Sequence, residues 1–215
     1  MKNNISINLA RLLLFGIIFF EFLNYFNILK FHLEFTWLGL IITAGLIWML
    51  IEGINYFLKT RCHRLLHPMT WFSAFFIISL DMLGDILHFY SIYGWYDQIL
   101  HFIGSVATSI IILSVLTAVN SSEVHKMGDF LIYYLTFTSI ATLGVFYELE
   151  EYFEDYFTLS NRLGDGPDTM NDIFSEILGV VVIILLVIII KKIKQRTSPI
   201  LRPLKILRDK LKLGS

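Results

Sequence analysis

The sequence predicts an all-α, polytopic membrane protein: a six-helix transmembrane bundle with both termini cytoplasmic. Three observations carry this expectation. Hydrophobic residues make up 56% of the 215 positions and charged residues only 16%, with a mean hydropathy of +0.68, unlike the mix of a soluble domain. Six apolar runs have the length of about 20 residues that crosses a hydrocarbon core. Finally, the 17 Lys and Arg are distributed unevenly among the connecting segments.

The first run, 9–29, follows Lys2 and Arg11. It is too long for a signal peptide, contains Glu21 and lacks a small-residue cleavage site, so it reads as a retained helix. The second spans 35–58 and leads into the basic loop "RCHRLLHP". Cys62 is the only cysteine in the chain, which excludes an intrachain disulfide. Beside His63 and His67 it reads as loop rather than as a metal site. The third run, 69–90, carries Asp81, Asp85 and His88 at i, i+4 and i+7, one face of a helix.

The fourth, 97–119, opens with Asp97 and His101, and the same stripe continues through Ser105 and Thr108. The fifth, 128–151, ends in "YELEEYFEDYF", where Glu148, Glu151 and Asp155 share a face, and Asp155, Glu154 and Glu150, nearer the water, read as a solvated helix end. The sixth, 170–190, follows "TLSNRLGDGP". There Asp165 and Asp168 are placed to cap the helix, while Asp172, followed by Ser175 or Glu176, lies a turn inside. Residues 1–190 form one transmembrane domain on this reading, and 191–215 a basic cytoplasmic tail suited to anionic lipid headgroups.

Orientation follows from the cations. With the amino terminus inside, Lys2, Arg11, Lys59, Arg61, Arg64, Lys126 and nine residues of the tail are cytoplasmic, and only Lys30 and Arg162 are outside. Glu21 with Asn24, and Glu52 with Asn55, are of the kind that hydrogen-bond between helices. Thirteen acids from Glu34 to Glu176, leaving out those on the cytoplasmic side, gather at the outer level. A lone charge at the bilayer centre costs about 2.5–3.5 kcal/mol, so these carboxylates must face inward. With two cations nearby, the balancing positive charge is expected from protons, a metal ion or a cationic ligand.

Carboxylates and imidazoles at i/i+3 and i/i+4 spacing on neighbouring helices are how helical bundles build metal sites. The candidate ligands are Asp81, Asp85, His88, Asp97, His101, Glu148, Glu151, Asp168 and Asp172, with Glu151 and Asp172 also the candidate catalytic carboxylates. Mixed oxygen and nitrogen donors suit Zn, Mn or Fe, and carboxylates alone suit Mg or Ca.

The blocks "YDQILHF" (96–102), "YELEEY" (147–152) and "GDGPDTMNDIF" (164–174) resemble the three signature blocks of the YjdF-type family of bacterial inner-membrane proteins, relatives of the VanZ-like group. The family pattern corresponds here to Asp97, His101 and Phe102; to Glu148, Glu151 and Tyr152; and to Asp165, Asp168, Thr169 and Asp172. Gln98 stands where the family has Arg or Lys. The resemblance covers roughly residues 80–185, implies a location in the cytoplasmic membrane, and supports the site more than any activity.

Three functions stay open on the sequence. The favoured one is a metal-dependent hydrolase or transferase working at the outer face on a lipid or lipid-linked envelope substrate, with Glu151 as general base. The second is a cation or proton carrier or sensor, and the third is a structural or assembly protein whose acids knit the bundle. Membrane lipids are the expected partners. No Ser-His-Asp or Cys-His pairing, glycine-rich phosphate loop or nucleic-acid motif is present.

Overall fold

In a computed structural model the chain is helical throughout, with no strand among the described residues, 2–122 and 126–212; side chains are described for 5–121 and 126–195. The elements are α1 (Lys2–Tyr25), α2 (Trp37–Arg61), α3 (Pro68–Ile86), the single turn α4 (Phe89–Ile92), α5 (Tyr96–Ser122), α6 (Asp129–Thr158) and α7 (Gly166–Lys212). All but α4 are long and apolar enough to cross a membrane. The tail beyond residue 195, where basic and apolar residues were expected to meet lipid headgroups, lies outside the described side chains.

Local chemistry explains the ends. Thr36 caps α2, its side chain accepting from Gly39 N, and Lys59 and Arg61 occupy the last turn, where the helix dipole favours cations. His67 caps α3 through Nδ1, with Pro68 opening the helix. That role accounts for one of the two loop histidines beside Cys62.

Helix α3 corrects the sequence reading. It ends at Ile86 rather than continuing to 90, because His88 adopts a left-handed conformation with φ 57° that turns the chain. The turn is held by contacts distant in sequence. Tyr90 folds back to donate to Asp81 Oδ1 at 2.5 Å and meets Tyr96 and Phe35 edge-to-face at 5.2 Å. His88 therefore leaves the face that Asp81 and Asp85 share. At the other end, α6 runs past 151 to Thr158, two further turns, carrying Glu154 and Asp155 within the helix.

Helix α5 is central, packing against α2, α3, α4, α6 and α7. Its approach to α7 is close because the facing residues are small: Ser105 Oγ donates to the Glu176 carbonyl at 2.5 Å, Gly179 sits against Phe102 and Ser105, and Ser109 is fully buried. Small residues are what let helix backbones approach in a lipid medium, which offers little hydrophobic drive for association. A second buried group, including Leu14, Ala44, Ile51, Trp71 and Ile78, joins α1, α2 and α3. Large side chains such as Phe15, Phe19, Leu46, Met49 and Phe146 point outward, the arrangement expected of a surface that faces acyl chains.

The end of the bundle bearing both Lys59 and Lys191 has its own polar contacts. Arg11 forms a fork with Glu52, both bonds at 2.6 Å, and its guanidinium lies 4.8 Å from the Trp71 ring centroid. Asn55 accepts from Leu66 N instead of bonding to a neighbouring helix.

Candidate functional site

At the opposite end, the C-terminal turns of α1, α3 and α6 meet the first turns of α2, α5 and α7. Helical spacing sets the side chains there. On α5, Asp97, His101 and Ser105 recur every four residues; on α6, Glu148 and Glu151 are three apart; on α7, Asp172 and Glu176 are four apart. Each pair therefore faces one direction, and the packing of α5, α6 and α7 points all three at a common centre.

His101 occupies that centre, 6% exposed. Its Nδ1 lies 3.2 Å from Glu176 Oε1 and 3.9 Å from Glu148 Oε1, and its Nε2 lies 3.6 Å from Asp97 Oδ1. The ring stands edge-on to Tyr147, centroids 5.2 Å apart. Ligand atoms come within 4.8 Å of one another in two overlapping groups, Asp97/His101/Asp172 and His101/Glu148/Glu151, which share the imidazole. Four buried atoms here have no hydrogen-bond partner among the described residues: His101 Nε2, both Glu148 oxygens and Asp172 Oδ1. A buried polar atom without a partner costs about 1–3 kcal/mol, more if charged.

Arg162, noted in the sequence as a cation near these acids but not as a site residue, changes the charge balance. The loop after α6 folds back and buries the guanidinium, which is 5% exposed. Its Nη2 donates to Asp81 Oδ1 and to the Tyr147 hydroxyl, each at 3.0 Å, and its Nε donates to Glu151 Oε1 at 3.1 Å. The rings of Phe35 and Tyr90 lie beside it, 5.3 and 5.8 Å from its central carbon. Burial works against this cation, but Asp81 and its anionic neighbours outweigh it and hold the pKa above the ordinary arginine range. Burial, followed by the Asp81 charge, likewise pushes the Tyr90 phenol well above its usual value, so it remains a neutral donor. Arg162, one of the two cations the sequence offered to pair with these acids, thus supplies part of the balancing charge. The signal that could have found this residue was its isolation, one of two cations placed among so many acids.

Asp155 delivers the arginine. Its carboxylate accepts from Ser160 Oγ at 2.6 Å, Arg162 N at 2.7 Å and Leu163 N at 3.0 Å, so it is a loop clamp rather than a solvated helix end. Gly164 follows with φ +67° and Asp165 then caps α7, accepting from Asp168 N at 3.0 Å. A Cβ at Gly164 would be strained by its left-handed backbone and would collide with the Asp168 carboxylate. Gly164→Ala is expected to cost on the order of 1–2 kcal/mol, read as a lower unfolding midpoint in micelles.

The remaining expected ligands separate into those at the centre and those away from it. Asp97, His101, Glu148, Glu151 and Asp172 converge, with Glu176 rather than Ser175 completing the α7 face. Asp81 joins only through Arg162. Asp85 is fully buried, but its Oδ1 accepts from Glu34 N at 2.6 Å and Phe35 N at 2.8 Å, anchoring the α1–α2 loop. His88 has a half-exposed side chain 3.9 Å from Glu34 and takes no part in the centre. Asp168 accepts from Gln98 Nε2 at 2.9 Å at the rim. Glu151 is not a free carboxylate, since Arg162 engages it; the free one is Glu148. Glu154 is buried, accepting from the Thr36 hydroxyl and packing on Gly39, which ties α6 to the start of α2. Glu21 is fully buried with neither oxygen partnered, while Asn24 bonds only within its own helix end and loop.

These features define a multi-span membrane protein with a buried carboxylate and imidazole centre at one end of its bundle. The model of the family described as Predicted membrane protein (DUF2238), the YjdF family, matches residues 10–193, and the chain belongs to that family. No curated protein and no solved structure matches the chain.

Proposed function

We propose that the Asp97–His101–Asp172 corner binds a divalent metal ion, and that the protein is a metal-dependent hydrolase or transferase acting at the outer face of the cytoplasmic membrane on a lipid or lipid-linked substrate. One observation carries the metal reading. His101 presents an unpartnered buried Nε2 toward Asp97 while its Nδ1 is met by the Glu176 carboxylate. A ligating histidine is characteristically oriented through its second nitrogen in this way. The unpartnered Asp172 oxygen supplies a third donor. One nitrogen and two carboxylates suit Zn, Mn or Fe better than Mg.

The metal would supply Lewis-acid polarisation of the scissile group and acidification of a bound water. The chain's own residues have separable parts. Glu148, with both oxygens unpartnered, stands beside His101 as the proton acceptor, a role the sequence assigned to Glu151. Arg162 fixes Glu151 and Asp81 in place. The outer location rests on the concentration of Lys and Arg at the other side of the spans. Against a carrier, the buried residues further along α5, α6 and α7 are Leu113, Ile132, Ile183 and the hydroxyl-bearing Ser109 and Thr136, and among the described residues no ionisable side chain is buried with them.

Metal analysis of the purified protein, reconstituted with Zn, Mn or Fe, tests this. Wild type is expected to hold one equivalent. His101→Ala and Asp97→Ala are expected to bind at least 10-fold more weakly, since even an outer-shell partner is worth about 10–100-fold in affinity. Glu148→Ala is expected to keep the metal and lose turnover. Wild type that takes up none of the three metals would refute the reading.

A further inference from the structure

Beneath the centre, and reaching Asp97 and His101 of the metal corner at its upper end, lies a cavity of about 720 Å³. It exists because α2 and α6 both pack on α5 but not on each other along their lengths. Its walls run along α5 from Asp97 to Ile112, about 22 Å at the helical rise, which is more than half of a hydrocarbon core roughly 30 Å thick. Leu46, Leu50, Ile77 and Ile111 are typical of the lining through most of that length. At the site end the walls change to Asp81, Asp97, Glu150, Glu176 and His101, and no Lys or Arg lines the space.

From this we infer that the cavity holds the hydrocarbon chain of a membrane lipid whose cationic amine head lies against those carboxylates. The space opens between α2 and α6 onto the outer surface of the bundle, where Leu46, Leu50 and Phe146 are exposed; an apolar groove left unfilled forfeits dispersion contacts along its walls, and in a bilayer the material at hand to fill it is a lipid tail. The space is within the range of about 300–1,000 Å³ that ligand pockets occupy. The charge decides the head. Of the four carboxylates at the mouth, Asp81 is engaged by Arg162, Asp97 belongs to the metal corner and Glu176 meets His101, which leaves Glu150, whose Oε2 is buried without a hydrogen-bond partner, to face the head. An ammonium group complements that field, and an anionic head opposes it. The inference deepens the metal reading by naming the substrate class, and rests on it only in taking the carboxylate end as the reactive one.

The test is native mass spectrometry of the full chain, titrated with phosphatidylethanolamine and phosphatidylglycerol of identical tails, with metal content measured on the same samples. Wild type is expected to retain one phosphatidylethanolamine at least 10-fold more strongly than phosphatidylglycerol. Ala107→Trp and the milder Thr108→Phe obstruct the cavity partway along α5. Both are expected to abolish retention at unchanged metal content and secondary structure. Glu150→Gln is expected to erase the preference for the amine while retaining a lipid. For wild type itself, shortening the tails to eight carbons is expected to weaken retention at least 10-fold, a readout independent of any variant's folding. Retention indifferent to tail length would overturn the cavity assignment and leave the metal reading intact. Equal retention of the two heads by wild type would overturn the amine assignment. Loss of metal without loss of lipid would do the reverse, sparing this inference and removing the metal.

Discussion

Replacing Arg162 with alanine is expected to destabilise the folded bundle by about 3–5 kcal/mol, the cost of removing one partner from a buried ionic network. The guanidinium donates to Asp81, Glu151 and Tyr147 at 3.0–3.1 Å and is itself almost wholly buried. Its loss leaves two carboxylates facing each other with the charge between them gone, and water has little access to replace it. Arg162→Lys is expected to recover only part of the loss, because one ammonium cannot span three acceptors as the planar fork does. Unfolding midpoints in mixed micelles would show the order wild type, lysine, alanine. A midpoint for Arg162→Ala within about 0.5 kcal/mol of wild type, the range of ordinary surface substitutions, would remove the network from the account. The pH dependence has a definite sign. Arg162 and Tyr90 both have folded pKa values raised above their unfolded ones. Their contributions are therefore present in full below the unfolded tyrosine value of 10.0 and fade only as pH rises beyond it.

The second large effect is expected at Gly179. A Cβ there would meet the Phe102 carbonyl at 2.8 Å and Ser105 Oγ and Cβ at 2.8 and 2.9 Å. The carbonyl belongs to the α5 backbone, so it cannot rotate away; the two helices must separate. Gly179→Ala is expected to cost roughly 1–3 kcal/mol by overpacking, and Gly179→Leu to cost more. The same displacement would draw Glu176, on α7, away from His101, on α5. Metal content and stability should therefore fall together in these variants. Gly16→Ala provides the comparison, since nothing lies within 4 Å of its added methyl group, and helix propensity alone would make it neutral or slightly stabilising. An unchanged Gly179→Ala midpoint would mean that α5 and α7 do not depend on this contact.

Most of the fold was legible in the sequence because span length and apolarity are local properties, and lipid imposes them on every crossing segment. The faces of α5, α6 and α7 were legible for a related reason. Spacing of three and four places Asp97 with His101, Glu148 with Glu151, and Asp172 with Glu176 on one side of a helix whatever surrounds it. What escaped was set by distant contacts. The end of α3 at Ile86 depends on Tyr90 reaching back to Asp81 and lodging among Phe35 and Tyr96, which no window of neighbouring residues contains. For the same reason His88 kept its apparent helical register in the sequence and lost it in the structure. Arg162 escaped because a loop's path is decided by what clamps it. Glu154 was misread as solvated because its cover, Thr36 and Gly39, lies far away in the chain.

The clamp at Asp155 bears on how loops of this kind can vary. It grips the chain through the amide N–H groups of positions 162 and 163, with Ser160 the one side chain it takes. Side-chain identity at Asn161 or Leu163 is therefore weakly constrained, whereas spacing is tightly constrained. Adding or deleting a single residue between Leu159 and Arg162 would move a different residue into the grip and swing the guanidinium out of reach of its acids. In this segment length, more than composition, is the quantity under control.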